Sequence, residues 1–444
     1  MFAGSPLNRQ LESVLRISID EGLLHFVLKR CIRLEDNRDW AKSKGGLLSK
    51  FDKAVRLVAI SLLRRATKIE DGNITMVTTR DAYCCNPKYV VEYLNEANEH
   101  FNLFWSFPNT SVRERNSFPD NVNVVPGFSF DFYKAISSSR VIIDNSIESL
   151  IMGYRKKEGQ FSIVMWHGSY GLKRFDRGVD PKWVSLGHKF GSETDVCFSN
   201  SAYETEIMKG SFFPHTNIIE CGKPVNDILF KHGEPDFKNK VKQIRADLGI
   251  EDGTKIALFA PTYRYGSNTL QVLDFEKVRD SLTKRFDGKW LILYRAHYET
   301  IKHGYDAELL DCVLDVSSID DITELMMIAD VGITDYSSWI CNYILLDRPC
   351  FLYTPDLQDF ERTKGFYHPL DETPFLISCS TEELCSEIEN YNSKEQSISM
   401  KDYLRKVGFV YNPNSSRNVV TLIREKCGTG KQRSGCVLPT QIAV

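Results

Sequence analysis

The 444-residue chain contains no run of about 18 uncharged apolar residues, so nothing in it reads as a membrane-spanning helix. Its first residues, MFAGSPLNRQLES, lack the apolar centre of a signal peptide. Twelve cysteines are present, but without a CxxC pair or finger-type Cys/His spacing. They read as reduced cytosolic thiols, not as a disulfide framework or a zinc site. The nucleotide motifs G-x-x-x-x-G-K-S/T and G-x-G-x-x-G are missing, which argues against a P-loop NTPase and a standard dinucleotide enzyme. No compact Asp/Glu/His cluster and no D-x-D pair at a strand end suggests a catalytic metal, and no cofactor is expected. The net charge of −3 gives no reason to expect nucleic acid as a partner.

What is present is an ordinary globular composition, 42% hydrophobic and 26% charged, with a length that suits two to three domains. Residues 1–71 read as helical. Within them SKFDKAVRLVAISLLRRATK places Phe51, Val55, Val58 and Leu62 on one stripe, with six basic residues against Asp52. Such a basic amphipathic helix suits an anionic membrane surface, and it suits packing on a neighbouring domain about equally well.

From Gly72 the texture changes to short β-branched runs alternating with helical patterns. This βαβ rhythm predicts an α/β fold with mostly parallel sheets. The rhythm runs twice, giving two Rossmann-like halves over 72–200 and 201–400 that face a cleft. A helical segment at 401–427 is expected to pack back on the first half, and 428–444 to form a tail without regular structure. Strand Ile218–Cys221 is counted with the second half.

Chemistry-bearing residues gather where strands should end, and there α/β sheets bind ligands. The stretch Asp330–Asp347 reads as strand, polar turn and helix start. Thr334, Asp335, Ser337 and Ser338 form either a phosphate cradle or a plain helix cap. His167 follows the run Ser162–Met165, and His297 follows Leu291–Tyr294. Histidine titrates near neutrality and suits proton transfer, though a single one is more often structural. Arg264, in P-T-Y-R after Ile256–Ala260, suits a bidentate phosphate clamp or a salt bridge. Lys173 and Arg174 would make the first half's wall basic. Asp320 and Glu324 suit ribose hydroxyls, or Asp320 caps the next helix.

In this order W-H-G-S, P-T-Y-R, His297 and D-I-T-E-L-M-M-I-A-D-V-G-I-T-D-Y-S-S-W-I-C-N-Y resemble the CDP-glycerol glycerophosphotransferase family of teichoic-acid and capsule enzymes. C-G-K-P-V-N-D at 221–227 and N-P-K-Y at 86–89 are similar to it as well, and the likeness spans about residues 74 to 425. The resemblance implies a GT-B-like fold and a CDP-polyol donor. It implies transfer of glycerol or ribitol phosphate to a hydroxyl of a lipid-linked or polymer acceptor, with release of CMP. It also implies work at the cytoplasmic membrane surface, as a peripheral protein of the inner face. His167 carries over as general base, and His297 as pyrophosphate contact or second catalytic histidine. Arg264, Thr334, Ser337 and Ser338 carry over as holders of the donor phosphates. Departures fall at Ser169–Lys173, Val225 and Cys341-Asn342, and they bear on the identity of the donor. A GT-B nucleotide-sugar glycosyltransferase and a non-catalytic scaffold are the competing readings.

Overall fold

A computed structural model describes residues 47–108, 118–167, 171–264, 273–297, 300 and 311–428, with side chains from residue 57 onward. The helical pattern expected over residues 1–46, the side chains of Phe51 and Val55, Gly168 to Tyr170 and the tail from 429 lie outside the described residues.

Two parallel sheets carry the fold. The first has seven strands in the order β3-β2-β1-β4-β5-β6-β7. These are β1 (Glu70–Val77), β2 (Asn102–Ser106), β3 (Val122–Val124), β4 (Ser139–Asp144), β5 (Phe161–Val164), β6 (Val196–Ser199) and β7 (Asn217–Glu220). The second has six, in the order β10-β9-β8-β11-β12-β13. Its strands are β8 (Lys255–Phe259), β9 (Trp290–Tyr294), β10 (Val313–Asp315), β11 (Val331–Thr334), β12 (Cys350–Tyr353) and β13 (Leu376–Ser378). Central strands such as β11 are buried along their whole length, as expected of parallel strands with helices on both faces. Strand order reverses between β1 and β4 in one sheet and between β8 and β11 in the other. Ligand crevices open beyond the carboxyl ends of strands at such reversals.

The helices that frame the site and its supports are α1 (Leu47–Ala66), α2 (Cys85–Glu96), α3 (Phe130–Ser138), α4 (Ile322–Ile328), α5 (Trp339–Tyr343), α6 (Ser393–Lys406) and α7 (Ser415–Lys426). Two expectations need correction. Strand β7 pairs in parallel with β6 and so completes the first sheet, not the second. A strand's own residues do not specify its neighbour; tertiary pairing does. The segment expected at 401–427 is really two pieces. Met400, Tyr403 and Leu404 of α6 join the core of the second domain. Val419, Val420 and Ile423 of α7 pack back on α2 in the core of the first. Among the described side chains of α1 the buried ones are Ala59, Ile60 and Leu63, set against Phe132 and Tyr133 of α3. Val58, one of the residues on the apolar stripe read from the sequence, is 57% exposed, and its neighbour Leu57 is 50% exposed. The run LVAISLL is apolar on two adjacent faces, so contact with α3 chooses between them.

Candidate active site

The turn after β5 places the first histidine. Trp166 adopts φ +55°, a left-handed conformation that a bulky residue holds only when its surroundings enforce it. They do so here: its ring packs against Phe175 at 5.0 Å, and its carbonyl accepts a hydrogen bond from Asn86 Nδ2 at 2.9 Å. The next residue, His167, stacks on the Trp166 ring at 5.2 Å, and its Nδ1 lies 3.2 Å from the Asn145 carbonyl. A carbonyl can only accept, so Nδ1 carries the proton and Nε2 keeps its lone pair. Although His167 is open to solvent, the surrounding walls desolvate it and pull its pKa to about 4. The Asn145 carbonyl opposes this shift, whereas Lys173 and Lys223 add to it. The imidazole is therefore a neutral base at pH 7.

His297 leaves the end of β9 and stacks against Tyr263 at 5.9 Å. Burial first, then Lys173, Arg80, Arg295 and His167, depress its pKa to about 3. The two histidines come one from each domain, and the charge of His167 is the smallest of the influences that lower His297. Lys173 acts on both and is itself lowered to about 8 by desolvation. Its backbone forms an antiparallel bridge with Phe366. Arg174 N–H donates to the Gly365 carbonyl at 3.0 Å, and Tyr367 N–H donates to the Leu172 carbonyl at 3.3 Å. A short strap thus joins the two domains beside the histidines. Arg174 serves this strap: its guanidinium pairs with Asp176 at 3.2 Å and lies over the Tyr367 ring at 5.3 Å.

Other expected site residues are built in more deeply. The Thr334 hydroxyl is buried and donates to the Ala260 carbonyl at 2.7 Å, tying β11 to the end of β8. The buried Asp335 carboxylate accepts from the Thr262 N–H at 2.8 and 3.0 Å and pairs with Arg264 at 2.9 Å. Arg264 is further held by Asp356 at 2.6 Å and by the Thr262 carbonyl at 3.0 Å, and it lies 4.9 Å from the Tyr336 ring centre. Its fork is committed to two carboxylates, so it frames the loop that runs from Asp335 to Ser338. Ser337 and Ser338 are half-buried, and Ser338 occupies the helix N-cap position without a side-chain cap bond. The helix they introduce spans only Trp339–Tyr343 before tightening into a 3-10 turn over Ile344–Leu346. Donor hydroxyls, more than a long helix dipole, are what this loop offers an anion.

Asp321, not Asp320, caps α4, accepting the Thr323 N–H at 3.0 Å. Asp321 and Glu324 both bind the Lys88 ammonium of the other domain, at 2.9 and 2.7 Å. The Asp320 carbonyl accepts from Arg295 at 3.1 Å. Sequence reasoning gave no role to Asn86, Lys88, Asn145 or Arg295. For the first two, the motif N-P-K-Y was visible but pointed to no partner. Among the described residues no group of His, Cys, Asp and Glu is placed to hold a metal ion.

Comparison with known proteins accords with this geometry. Residues 60–425 match the family described as CDP-Glycerol:Poly(glycerophosphate) glycerophosphotransferase. A teichoic acid poly(glycerol phosphate) polymerase of Staphylococcus epidermidis is 29% identical over 335 residues, 72% of this chain and 45% of that protein. The chain thus spans about half the length of that relative. One of the same description from Bacillus spizizenii is 28% identical, over 76% of this chain and 88% of its own. Among solved structures, a variant of the wall teichoic acid polymerase TagF superposes with a TM-score of 0.72 at 25% identity, covering 86% of this chain and 99% of that one. Another TagF variant, soaked with CDPG, superposes equally well at 26% identity. The two parallel sheets thus form a GT-B-like pair of domains.

Proposed function

Starting from the chain's membership of the CDP-glycerol:poly(glycerophosphate) glycerophosphotransferase family, we propose that it transfers glycerol phosphate or ribitol phosphate from a CDP-linked donor to a hydroxyl of a lipid-linked or growing polymer acceptor in teichoic-acid synthesis. The observation that carries this reading is His167, a neutral base with its Nε2 lone pair available, which shares the electrostatic influence of Lys173 from its own domain with His297 from the other.

In the proposed step His167 Nε2 takes the proton of the acceptor hydroxyl as its oxygen bonds to the phosphorus that carries the polyol. The bond from that phosphorus to the bridging oxygen breaks, and CMP leaves with the electron pair. Lys173 and the Ser337 and Ser338 hydroxyls offset the charge that gathers on the departing phosphate. An arriving pyrophosphate draws the His297 pKa upward, so that its imidazole donates a hydrogen bond to the leaving group. Sister relatives that make poly(glycerol phosphate) and poly(ribitol-phosphate) both support a polyol donor.

Work at a membrane surface is supported by α1, where Leu57 and Val58 are exposed next to Arg65, also exposed. No described helix is long and apolar enough to cross a membrane.

CMP release from CDP-glycerol and CDP-ribitol, each with a short polyol-phosphate acceptor, tests the reading. His167→Ala should abolish release while the donor still protects the protein against heat. Full turnover in that variant would sink the assignment of His167 as the base, and thermal protection by UDP or GDP but not by CDP would turn the reading towards a nucleotide-sugar transferase.

A further inference from the structure

Each catalytic histidine sits at a strand end of a different domain, and three residues on the first turn of α2 hold both strand ends. Asn86 Nδ2 donates to the carbonyl of Trp166, the residue before His167, at 2.9 Å. Its Oδ1 accepts the Val225 N–H at 3.1 Å, so the amide has no freedom to turn. Two positions on, Lys88 Nζ reaches across to Asp321 at 2.9 Å and Glu324 at 2.7 Å, and the Tyr89 hydroxyl donates to the same Asp321 oxygen at 2.9 Å. All three side chains are buried: Asn86 is 1%, Lys88 4% and Tyr89 5% exposed. Burial alone would favour a neutral Lys88, but Asp321 and Glu324 overcome it and hold the ammonium charged.

Asp321 in turn ends the loop that fixes the second histidine. Arg295 donates to the carbonyls of Ile319 and Asp320 at 3.1 Å, and the Ala296 N–H donates to the Ser317 hydroxyl at 2.8 Å. These are the two residues immediately before His297. One helical turn therefore grips the His167 support at one end and the His297 support at the other. The helix is stiff on the scale of the gap it spans.

We propose that Asn86, Lys88 and Tyr89 form a spacer that sets the separation of His167 and His297, making Lys88 a positioning residue for the transfer step. The proposal rests on the transferase reading of the site. Losing the spacer leaves each half-site intact, so donor binding survives while the alignment of base, acceptor and phosphorus does not. A misplacement of about 1 Å is enough to lower a rate on the order of 10²-fold.

The test uses the full chain and three variants. Lys88→Met leaves two buried carboxylates without their partner and lowers both the thermal midpoint and kcat. The triple variant Lys88→Met, Asp321→Asn, Glu324→Gln removes the stranded charge and recovers the thermal midpoint. Its kcat is expected to stay about 10²-fold down, with the donor KM within about twofold of the parent. Amide exchange should accelerate in the peptides covering 290–297 and 313–324 of that variant. Asn86→Ala should instead accelerate exchange at 161–167. A triple variant that recovers kcat together with its thermal midpoint would show a merely structural ion cluster and overturn the proposal. Unchanged exchange at 290–297 would do the same. If the parent chain releases no CMP from either donor, the transferase reading fails, and the exchange data still decide whether Lys88 controls the His297 strand.

Discussion

Arg264 and Asp356 meet as a fork on a carboxylate, with Nε 2.6 Å from one oxygen and Nη2 3.2 Å from the other, while the same Nη2 lies 2.9 Å from the wholly buried Asp335. Two acids from different loops thus share one guanidinium, and one of them, Asp335, closely precedes the half-buried Ser337 and Ser338. Truncating Arg264 to Ala strands the Asp335 charge, and breaking a buried pair in this way costs about 3 kcal/mol or more. Arg264→Lys keeps the charge but cannot span both carboxylates, so it should recover only part of the loss. Denaturant midpoints of the two variants check this ordering. Equal stability of Arg264→Lys and the parent would contradict it.

The histidine shifts set a direction with pH. Desolvation by the surrounding walls holds His167 near 4 and His297 near 3, below their ordinary 6.5. Below pH 6.5 the unfolded chain takes up protons that the folded chain refuses, so stability falls with pH across this interval. The contribution is fully present above pH 6.5 and is lost as pH drops through about 4 for His167 and about 3 for His297. His297→Gln should flatten the midpoint-against-pH curve between 6.5 and about 4 relative to the parent, as unfolding titrations would read.

Gly332, on β11 just before the loop of Asp335 to Ser338, has no room for a methyl group. A Cβ there would lie 2.8 Å from two ring carbons of Tyr343 and 3.1 Å from Ile340 Cδ1. The Tyr343 ring is pinned by its hydroxyl bond to the Ala329 carbonyl at 2.9 Å, so it has little freedom to move aside. Gly332→Ala should therefore cost about 2 kcal/mol by overpacking. Turnover should fall further than donor affinity because α5 and its serines shift with the ring. Thermal midpoint and steady-state kinetics measure the two effects.

The exposed face of α1 makes a separate prediction. Replacing Leu57 and Val58, 50% and 57% exposed, with Glu should leave the fold unchanged, because neither packs in the core. Co-sedimentation with anionic vesicles should drop, since two apolar contacts are lost and two acidic charges are added near the headgroups. Undiminished co-sedimentation would remove α1 from the membrane contact.

Much of this protein is determined by local sequence. Alternation of short β-branched runs with amphipathic ones specifies parallel sheets, because such strands need cover on both faces. Strands β5 and β9 end just before His167 and His297, so both histidines come after strands as their sequence context indicates. Those features rest on residues within a few positions of one another. Tertiary structure decided the rest. Strand β7 joined the first sheet because pairing is a long-range choice. Thr334, Asp335 and Arg264 turned inward because their partners Ala260, Thr262 and Asp356 are distant in the chain. Lys88 acquired its meaning only from acids more than two hundred residues away. A buried charge is tolerable only beside its counter-charge, and where that counter-charge lies is a property of the folded chain alone.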